Sequence, residues 1–301
     1  FNLLILLSFC LGMLINKAEA QDFRGRIQGL VTDTSQAVIP NATVTLLNVN
    51  TQVRQVRQTN DVGLYRFDFV DPGLYTVTIE APGFARFIQQ NVQVQSQGDI
   101  TVNAVLRPGA IQEAITVEGS PVEVQFNTTN VGLTVDSKLA VELPRYDRNP
   151  FKLALLHPGV VDTRRQEMNP FHSWAANSIE LGGGTDKKND LKVDGAAIGV
   201  GYKASYVPNT DAIQEVNVQQ NAVDAEAGHS AGGSVSMTLK SGTNDFHGSA
   251  FYLGRNPSLN AMTDRTTRTN VAARNNIWGG TLGHPIIKNK FFNFYSLEIW
   301  R

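Results

Sequence analysis

The sequence is poor in cysteine and in charged residues. One of its 301 residues, Cys10, is a cysteine. Charged residues make up 18% of the chain, against ~25% in an average protein. The 26 Lys and Arg residues nearly balance the 27 Asp and Glu residues, which leaves a net charge of −1. Because no excess of basic residues is available to contact phosphate groups, we do not expect the chain to bind nucleic acid.

The chain also lacks a hydrophobic run at its start that could span a membrane as a helix. The apolar stretch of residues 3–15 is shorter than the ~20 residues that such a helix needs. It is followed by Ala18, Glu19 and Ala20, a small-residue pattern typical of signal-peptide cleavage. We therefore predict a signal peptide over residues 1–20 and export of the remainder, with a buried N-terminal helix as the alternative.

Two expectations follow from a signal peptide. Cys10 would be removed with it, so disulfides are not expected to stabilise the exported chain. Neither a methionine nor a basic segment precedes the apolar stretch, so we expect the natural chain to begin further upstream.

Residues 25–108 contain short runs in which apolar and polar side chains alternate, separated by turn sequences about every ten residues. This pattern predicts a small β-sandwich. Tyr65, Phe67 and Phe69 share one face of a predicted strand, and Tyr75 faces inward on the next. We interpret Tyr65, Phe67 and Tyr75 as core residues rather than as a platform that stacks on sugars.

Five segments within this region carry a family resemblance: residues 29–33, 40–44, 63–67, 72–77 and 82–84. Together they resemble the carboxypeptidase regulatory-like domain, a transthyretin-like sandwich that is grouped with carbohydrate-binding-like folds. The resemblance implies such a domain over residues 21–108.

After residue 109 the pattern changes to shorter strands and more frequent glycine turns, which predicts a mixed α/β unit over residues 109–242. Residues 149–156 are predicted to form a brief helix that ends before Pro158. The charged residues Asp194, Glu215, Asp224 and Glu226 are expected to line a water-facing surface of this unit.

No catalytic, cofactor-binding or metal-binding residue is predicted. Residues 228–232 match the G-x-S-x-G pattern of serine hydrolases, with Ser230 as the nucleophile and Asp245, His247 and His284 as nominal partners. However, residues 234–240 alternate as a strand, where a nucleophile elbow requires a helix. The five histidines also lack the spacing of a zinc site; they are His157, His172, His229, His247 and His284.

Residues 243–301 predict long strands. The runs 247–255, 276–284 and 291–300 have strand length, and residues 287–290 form a tight loop. In the last run Tyr295, Leu297 and Ile299 face one way, while Ser296 and Glu298 face the other. An outer-membrane barrel and a water-soluble hairpin both produce this alternation.

Seven weak motifs in a fixed order resemble the plug domain of TonB-dependent outer-membrane receptors, in particular the Oar-like branch. They are residues 143–148, 155–160, 193–195, 213–216, 225–228, 232–235 and 240–248. Residues 279–286 and 288–292 resemble the first barrel strands of the same branch. The resemblance implies a mainly β chain with a signal peptide, a sandwich, a plug at 109–242 and the start of a transmembrane barrel at 243–301.

The same resemblance implies a function and a location. An outer-membrane transporter would have a plug that gates its barrel, and its partners would be an inner-membrane TonB-type energy-coupling protein, outer-membrane lipid and an unidentified small or oligomeric ligand, with carbohydrate as one candidate. The alternative is a cell-surface or periplasmic carbohydrate-binding or adhesion protein. Large plugged barrels have about 22 strands, and residues 243–301 can supply about four at most, so we expect the chain to be part of a longer protein.

A TonB-coupling segment is expected just after the sandwich. Ile115, Thr116, Val117 and Glu118 occupy its place and have the character of an extended strand that a partner could capture edge to edge. These four residues are the candidate coupling site.

Overall fold

The computed structural model describes residues 23–109, 114–117, 131–143, 148–163, 178–201, 203–220, 230, 232–259 and 274–301. Strands dominate these residues, which confirms the prediction of a mainly β chain. The predicted signal peptide and Glu118 lie outside the described residues. Within the part of the chain that is described, none of the helices is long and apolar enough to cross a membrane.

Eight strands build the N-terminal sandwich: β1 (Gly25–Asp33), β2 (Thr43–Asn48), β3 (Arg54–Gln58), β4 (Leu64–Val70), β5 (Gly73–Glu80), β6 (Arg86–Val94), β7 (Asp99–Thr101) and β8 (Ala104–Leu106). One sheet contains β4, β1 and β7, with β8 also paired to β1. The other has the order β3, β2, β5, β6, followed by a further strand, β9 (Ala114–Val117).

The alternation of side chains explains the packing of the two sheets. Every second residue of β5 is buried, including Val77 and Ile79, and Ile27 of β1 and Phe67 of β4 are fully buried opposite them. Alternate residues of a strand point to opposite faces, so the inward set of each sheet contributes to one apolar core. Tyr65 and Tyr75 belong to the same core, which confirms their interpretation as core residues.

Phe69 departs from the expected pattern. It was predicted to share the inward face with Phe67, but its side chain is 60% exposed and Val70 is buried in its place. The backbone of Phe69 is left-handed, with φ of 60°, and the pairing of β1 with β4 shifts between Gly25 and Ile27. A bulge therefore reverses the alternation at this end of β4, and the prediction for Phe69 was wrong.

The middle unit, residues 131–242, is built on a five-stranded sheet in the order β10 (Val131–Asp136), β17 (Ile213–Gln220), β18 (Gly233–Leu239), β13 (Asp190–Val193) and β14 (Ala196–Ala197). The pairing of β13 with β18 is parallel and the others are antiparallel. Two further strand pairs accompany the sheet: β11 (Val160–Asp162) with β12 (Ile179–Leu181), and β15 (Gly199–Val200) with β16 (Lys203–Ala204).

The helical content of this unit is small. Helix α1 (Ser137–Glu142) begins where the Asp136 carboxylate accepts a hydrogen bond from the Leu139 N–H at 2.7 Å. A 3₁₀ helix (Pro150–Leu156) begins after Asn149, which accepts from the Phe151 N–H at 3.0 Å, and this confirms the short helix predicted there. A second 3₁₀ helix (Thr210–Ala212) precedes β17.

The last region is an antiparallel meander of three strands: β19 (His247–Arg255), β20 (Asn275–Ile287) and β21 (Phe291–Trp300). These are the three strands that the sequence predicts. A short turn at residues 288–290 joins β20 to β21, whereas 19 residues, from 256 to 274, separate β19 from β20. A 3₁₀ helix (Pro257–Leu259) begins that longer connection.

Candidate functional site

Arg148 of the middle unit contacts the meander through a cluster of charged side chains. Its Nε donates to Glu298 Oε2 of β21 at 3.0 Å, and its guanidinium forms an ion pair with Asp211. The guanidinium carbon lies 3.9 Å from the ring centroid of Phe251 on β19. The side chains of Arg148, Asp211 and Glu298 are 9%, 6% and 13% exposed. One buried arginine thus contacts two strands of the meander.

Local structure sets the position of the two charged residues from the middle unit. Arg148 has a left-handed backbone, with φ of 43°, and its carbonyl accepts a hydrogen bond from Thr210 Oγ1 at 2.8 Å. Asn209 caps the 3₁₀ helix that carries Asp211: its side-chain oxygen accepts from the Asp211 N–H at 3.0 Å and from an Arg148 guanidinium nitrogen at 3.1 Å. Asn209 therefore fixes the positions of both Arg148 and Asp211 relative to the same turn.

The charges of the cluster are nearly balanced. Arg148 faces Asp211 and Glu298, and Lys240 Nζ donates to the Asp211 backbone carbonyl at 2.9 Å. Burial lowers the pKa of the Lys240 ammonium, while the Asp211 carboxylate acts in the opposite direction. A buried charge that loses its partner raises the free energy of the protein. The cluster therefore stabilises the contact between the middle unit and the meander.

The two faces of the meander differ in polarity. On the face toward the middle unit, Ser249 Oγ donates to Asp211 at 3.4 Å and Ser296 Oγ accepts from Asn209 Nδ2 at 3.0 Å. On the opposite face the side chains are largely apolar and exposed, including Trp278, Leu282, Tyr295 and Leu297. Phe251 and the buried Ile277 lie on the same face as Ser249, so the face toward the middle unit is mixed rather than uniformly polar. An apolar, aromatic-rich outer face is typical of an outer-membrane barrel wall.

The sandwich also contacts the middle unit. In the turn after β6, the Ser96 N–H donates to Glu215 Oε1 at 2.5 Å, and the Ser96 hydroxyl contacts the Thr238 hydroxyl. Glu215 is 5% exposed. The expectation that Glu215 lines a water-facing surface was therefore wrong, because the Ser96 turn covers it.

The other three charged residues predicted at that surface have different outcomes. Asp194 is exposed, accepts from the Leu239 N–H at 2.9 Å, and has its pKa raised by partial desolvation. Asp224 and Glu226 lie outside the described residues.

A second contact joins the sandwich to the meander. Asn244 lies just before β19, and its Nδ2 donates to the Thr51 carbonyl of the β2–β3 turn and to Asn289 Oδ1, both at 2.8 Å. Asn289 lies in the short turn between β20 and β21. A cavity of about 770 Å³ opens where the three units meet, and its lining includes Asp71, Lys138, Asp211 and His247.

The candidate coupling residues form an edge strand. Ile115, Thr116 and Val117 lie in β9, which pairs in parallel with the first four residues of β6. The structure places them on the sandwich, away from the Arg148 cluster. Glu118, the fourth candidate, is outside the described part of the chain.

Two residues of the serine-hydrolase pattern, Ser230 and Gly232, are among the described residues. Ser230 Oγ donates to the Gly233 carbonyl at 2.6 Å, and the next element is β18, a strand. A nucleophile elbow requires a helix at this point. His247 Nδ1 instead contacts Thr243 Oγ1 at 3.1 Å and the Asp245 carbonyl at 3.0 Å, and among the described residues no three His, Cys, Asp or Glu side chains group closely enough to hold a metal ion.

Sequence reasoning did not assign a role to Arg148 or Asp211. Arg148 lies in one of the plug-like motifs, but its partners are 63 and 150 residues away. One sequence feature pointed to the cluster: Glu298 is a charged residue on the inner face of a predicted barrel strand.

Comparisons with known proteins agree with this arrangement. Residues 26–107 match the carboxypeptidase regulatory-like domain, and residues 238–301 match an outer membrane beta barrel domain. Over 287 residues the chain is 28% identical to the TonB-dependent transporter Oar of Myxococcus xanthus. The chain is therefore similar in sequence to an Oar-type TonB-dependent transporter. The barrel match places it in the outer membrane.

The chain spans about a quarter of the Myxococcus transporter, 26% of its length, while 89% of the chain is matched. Among solved structures it is similar to the siderophore receptor PirA of Acinetobacter baumannii, with 20% identity over 56% of this chain and 24% of that one, at a TM-score of 0.41. A putative carbohydrate binding protein of Bacteroides uniformis matches 28% of this chain and 41% of its own, with 20% identity and a TM-score of 0.24.

Proposed function

We propose that the protein is a TonB-dependent outer-membrane transporter in which the middle unit is the plug and the meander is part of the barrel wall around it. The Arg148 cluster is the observation that carries this proposal. Glu298 lies on the inner face of a barrel strand and pairs with Arg148 of the neighbouring unit. Such a contact can hold a plug in place and still allow the plug to separate from the barrel. When such a contact opens, its ionic and polar groups can form hydrogen bonds to water instead. An apolar contact surface has no such replacement, so it separates less easily.

The partner that we propose is an inner-membrane TonB-type protein that captures residues 115–118. Support comes from the pairing of β9 with β6, because a segment that already forms an edge strand has the conformation needed for strand addition to another sheet. Replacing Ile115 with proline would remove a backbone N–H from that segment, and we expect partner capture and transport to be lost.

The ligand that we propose is small or oligomeric, with carbohydrate as one candidate. Tyr65, Phe67 and Tyr75 do not support sugar stacking by the sandwich, because all three side chains are buried in its core. The surface at which a ligand enters would therefore lie on the plug and barrel rather than on these residues.

The test uses the full-length receptor and a bulky hydrophilic glycopeptide antibiotic as the probe. Intact outer membranes exclude this antibiotic, so entry through the receptor reports a loosened plug. Arg148→Ala removes the charge that pairs with Asp211 and Glu298, and we expect cells that express it to become about tenfold more sensitive, since losing one partner of a buried pair is strongly destabilising.

The matched control is Arg26→Ala. Arg26 also pairs with two carboxylates, Asp68 and Asp99, but its side chain is 41% exposed on the sandwich. Sensitivity should stay at the level of the unmodified receptor. Equal sensitivity of both variants, at equal amounts of inserted receptor, would contradict the plug assignment. A full-length protein that stays monodisperse without detergent would instead favour the adhesion alternative.

A further inference from the structure

Strand β9 is attached to the sandwich by a short and weak pairing. Four residues, Ala114–Val117, pair with the first four of the nine residues of β6. The pairing is parallel, whereas β6 pairs with β5 in the antiparallel sense over nearly its full length. Parallel pairs are slightly less stable per residue than antiparallel pairs. β9 is therefore the strand of this sheet that is most readily detached.

The route of the chain explains the direction of this pairing. After β8 the chain passes the turn before β6, where Phe84 bridges Pro108 and the Gly109 N–H donates to the Gly83 carbonyl at 3.2 Å. This point lies three residues ahead of Arg86, the first residue of β6. Because Gly109 lies at this turn and Ala114 pairs with Arg86, β9 begins beside the start of β6 and runs in the same direction.

Without β9, no other strand of the described residues would pair with this edge of β6. An unpaired edge presents a row of N–H and C=O groups and accepts any extended chain that fits. The first half of the β6 edge is thus a binding site for a strand, and three of the four proposed coupling residues, Ile115, Thr116 and Val117, occupy it.

We propose that the β6 edge is a holding site for the coupling segment, and that a TonB-type partner must exchange with β6 to capture residues 115–117, the coupling residues that lie in β9. This inference rests on the proposed function. The segment cannot pair through the same edge with β6 and with a partner at once, so occupancy of the holding site lowers the apparent affinity of the partner.

A reversible disulfide tests this exchange. Ile88 and Thr116 are direct register neighbours, and the Thr116 residue is exposed. Adjacent strands lie about 4.8 Å apart, within the Cα separation that a disulfide spans. In the full-length receptor, Ile88→Cys with Thr116→Cys would lock the segment onto β6 when oxidised and release it when reduced.

The readout is binding of the purified periplasmic domain of the TonB-type protein from the same organism to the receptor in detergent. We expect the oxidised double variant to bind about tenfold or more weakly than the unmodified receptor, and reduction to restore binding within about twofold. Oxidised and reduced samples are the same polypeptide, so misfolding cannot produce a reversible loss.

The matched control is Thr45→Cys with Val56→Cys. These residues are register neighbours on β2 and β3 of the same sheet, away from β9. Their disulfide should leave partner binding unchanged.

Two contrary results are distinguishable. Equal binding by the oxidised and reduced Ile88–Thr116 variant, together with loss of binding in Ile115→Pro, would overturn the holding site and leave the coupling function intact. Failure of the unmodified receptor to bind the partner would overturn the coupling function itself, and the holding site with it.

Discussion

Two tyrosines of the sandwich core are kept neutral by their surroundings. Tyr65 donates its hydroxyl hydrogen to the Val102 carbonyl at 2.7 Å, and Tyr75 donates to the Asp71 carbonyl at 2.9 Å. Burial raises the pKa of both phenols, that of Tyr75 to about 12. A buried phenolate would lose its hydration and the hydrogen that it donates.

This predicts how the sandwich responds to alkali. Because the folded-state pKa is raised above the ordinary value of about 10, the stability that these phenols contribute is fully present below pH 10 and is lost as the pH rises through 12. Replacing both tyrosines with phenylalanine should weaken this loss. Urea unfolding of the full chain between pH 8 and about 12, followed by circular dichroism, measures it; an identical pH dependence of the variant and the unmodified protein would contradict the prediction.

At the scale of single residues the sequence predicts inward positions well where the alternation is regular. Tyr65, Phe67 and Tyr75 follow it and are buried. Phe69 does not, because a left-handed residue at a bulge is a property of the pairing with β1 rather than of β4 alone. Glu215 was misjudged for a similar reason: its partner Ser96 is 119 residues away.

At the scale of elements, one glycine allows β1 to approach the backbone of residue 102 closely. A Cβ atom added to Gly29 would lie 1.9 Å from the Val102 backbone carbonyl oxygen. Because the obstacle is backbone, it cannot rotate away, and the strands must separate. We expect Gly29→Ala to lower the free energy of unfolding by about 1–3 kcal/mol.

Urea unfolding of the full chain checks this expectation, with Gly199→Ala as the control. A Cβ at Gly199 would meet its nearest neighbour, Leu191, at 3.7 Å, which is an ordinary contact. A Gly29→Ala variant as stable as the control would show that β1 and residue 102 can separate at little cost.

Elements that depend on local sequence were predicted better than their pairings. The strands and the tight turn of the meander follow from the alternation of residues 291–300 and from the short loop before them. The parallel pairing of β13 with β18 joins segments that lie more than 40 residues apart, and no local pattern indicates it. The same holds for β9, whose strand character was expected but whose partner β6 was not.

At the scale of the whole molecule, Asn244 ties the sandwich to the start of the barrel wall. Its amide nitrogen donates to Thr51, and the Asn289 N–H donates to Asn244 Oδ1 at 2.9 Å. Replacing Asn244 with alanine removes these two bonds and the bond from its Nδ2 to Asn289 Oδ1. We expect amide hydrogen exchange at residues 48–52 of the full-length receptor to become several times faster, because local opening of that turn becomes easier.

Asn256→Ala is the matched control for this prediction. Asn256 follows the other end of β19, where its side chain accepts from the Ser258 N–H at 3.1 Å. It should leave exchange at residues 48–52 unchanged. Equal exchange in the two variants would show that Asn244 does not hold the sandwich in place.

The contact through Asn244 and Asn289 has a consequence for encounter rates. A domain joined to a membrane protein by a flexible linker samples a large volume, which lowers the effective concentration of any segment that it carries. Here the sandwich instead contacts the meander directly. Strand β9 at its edge therefore keeps a nearly fixed position and orientation relative to the meander, and this would shorten the search of the TonB-type partner that we propose.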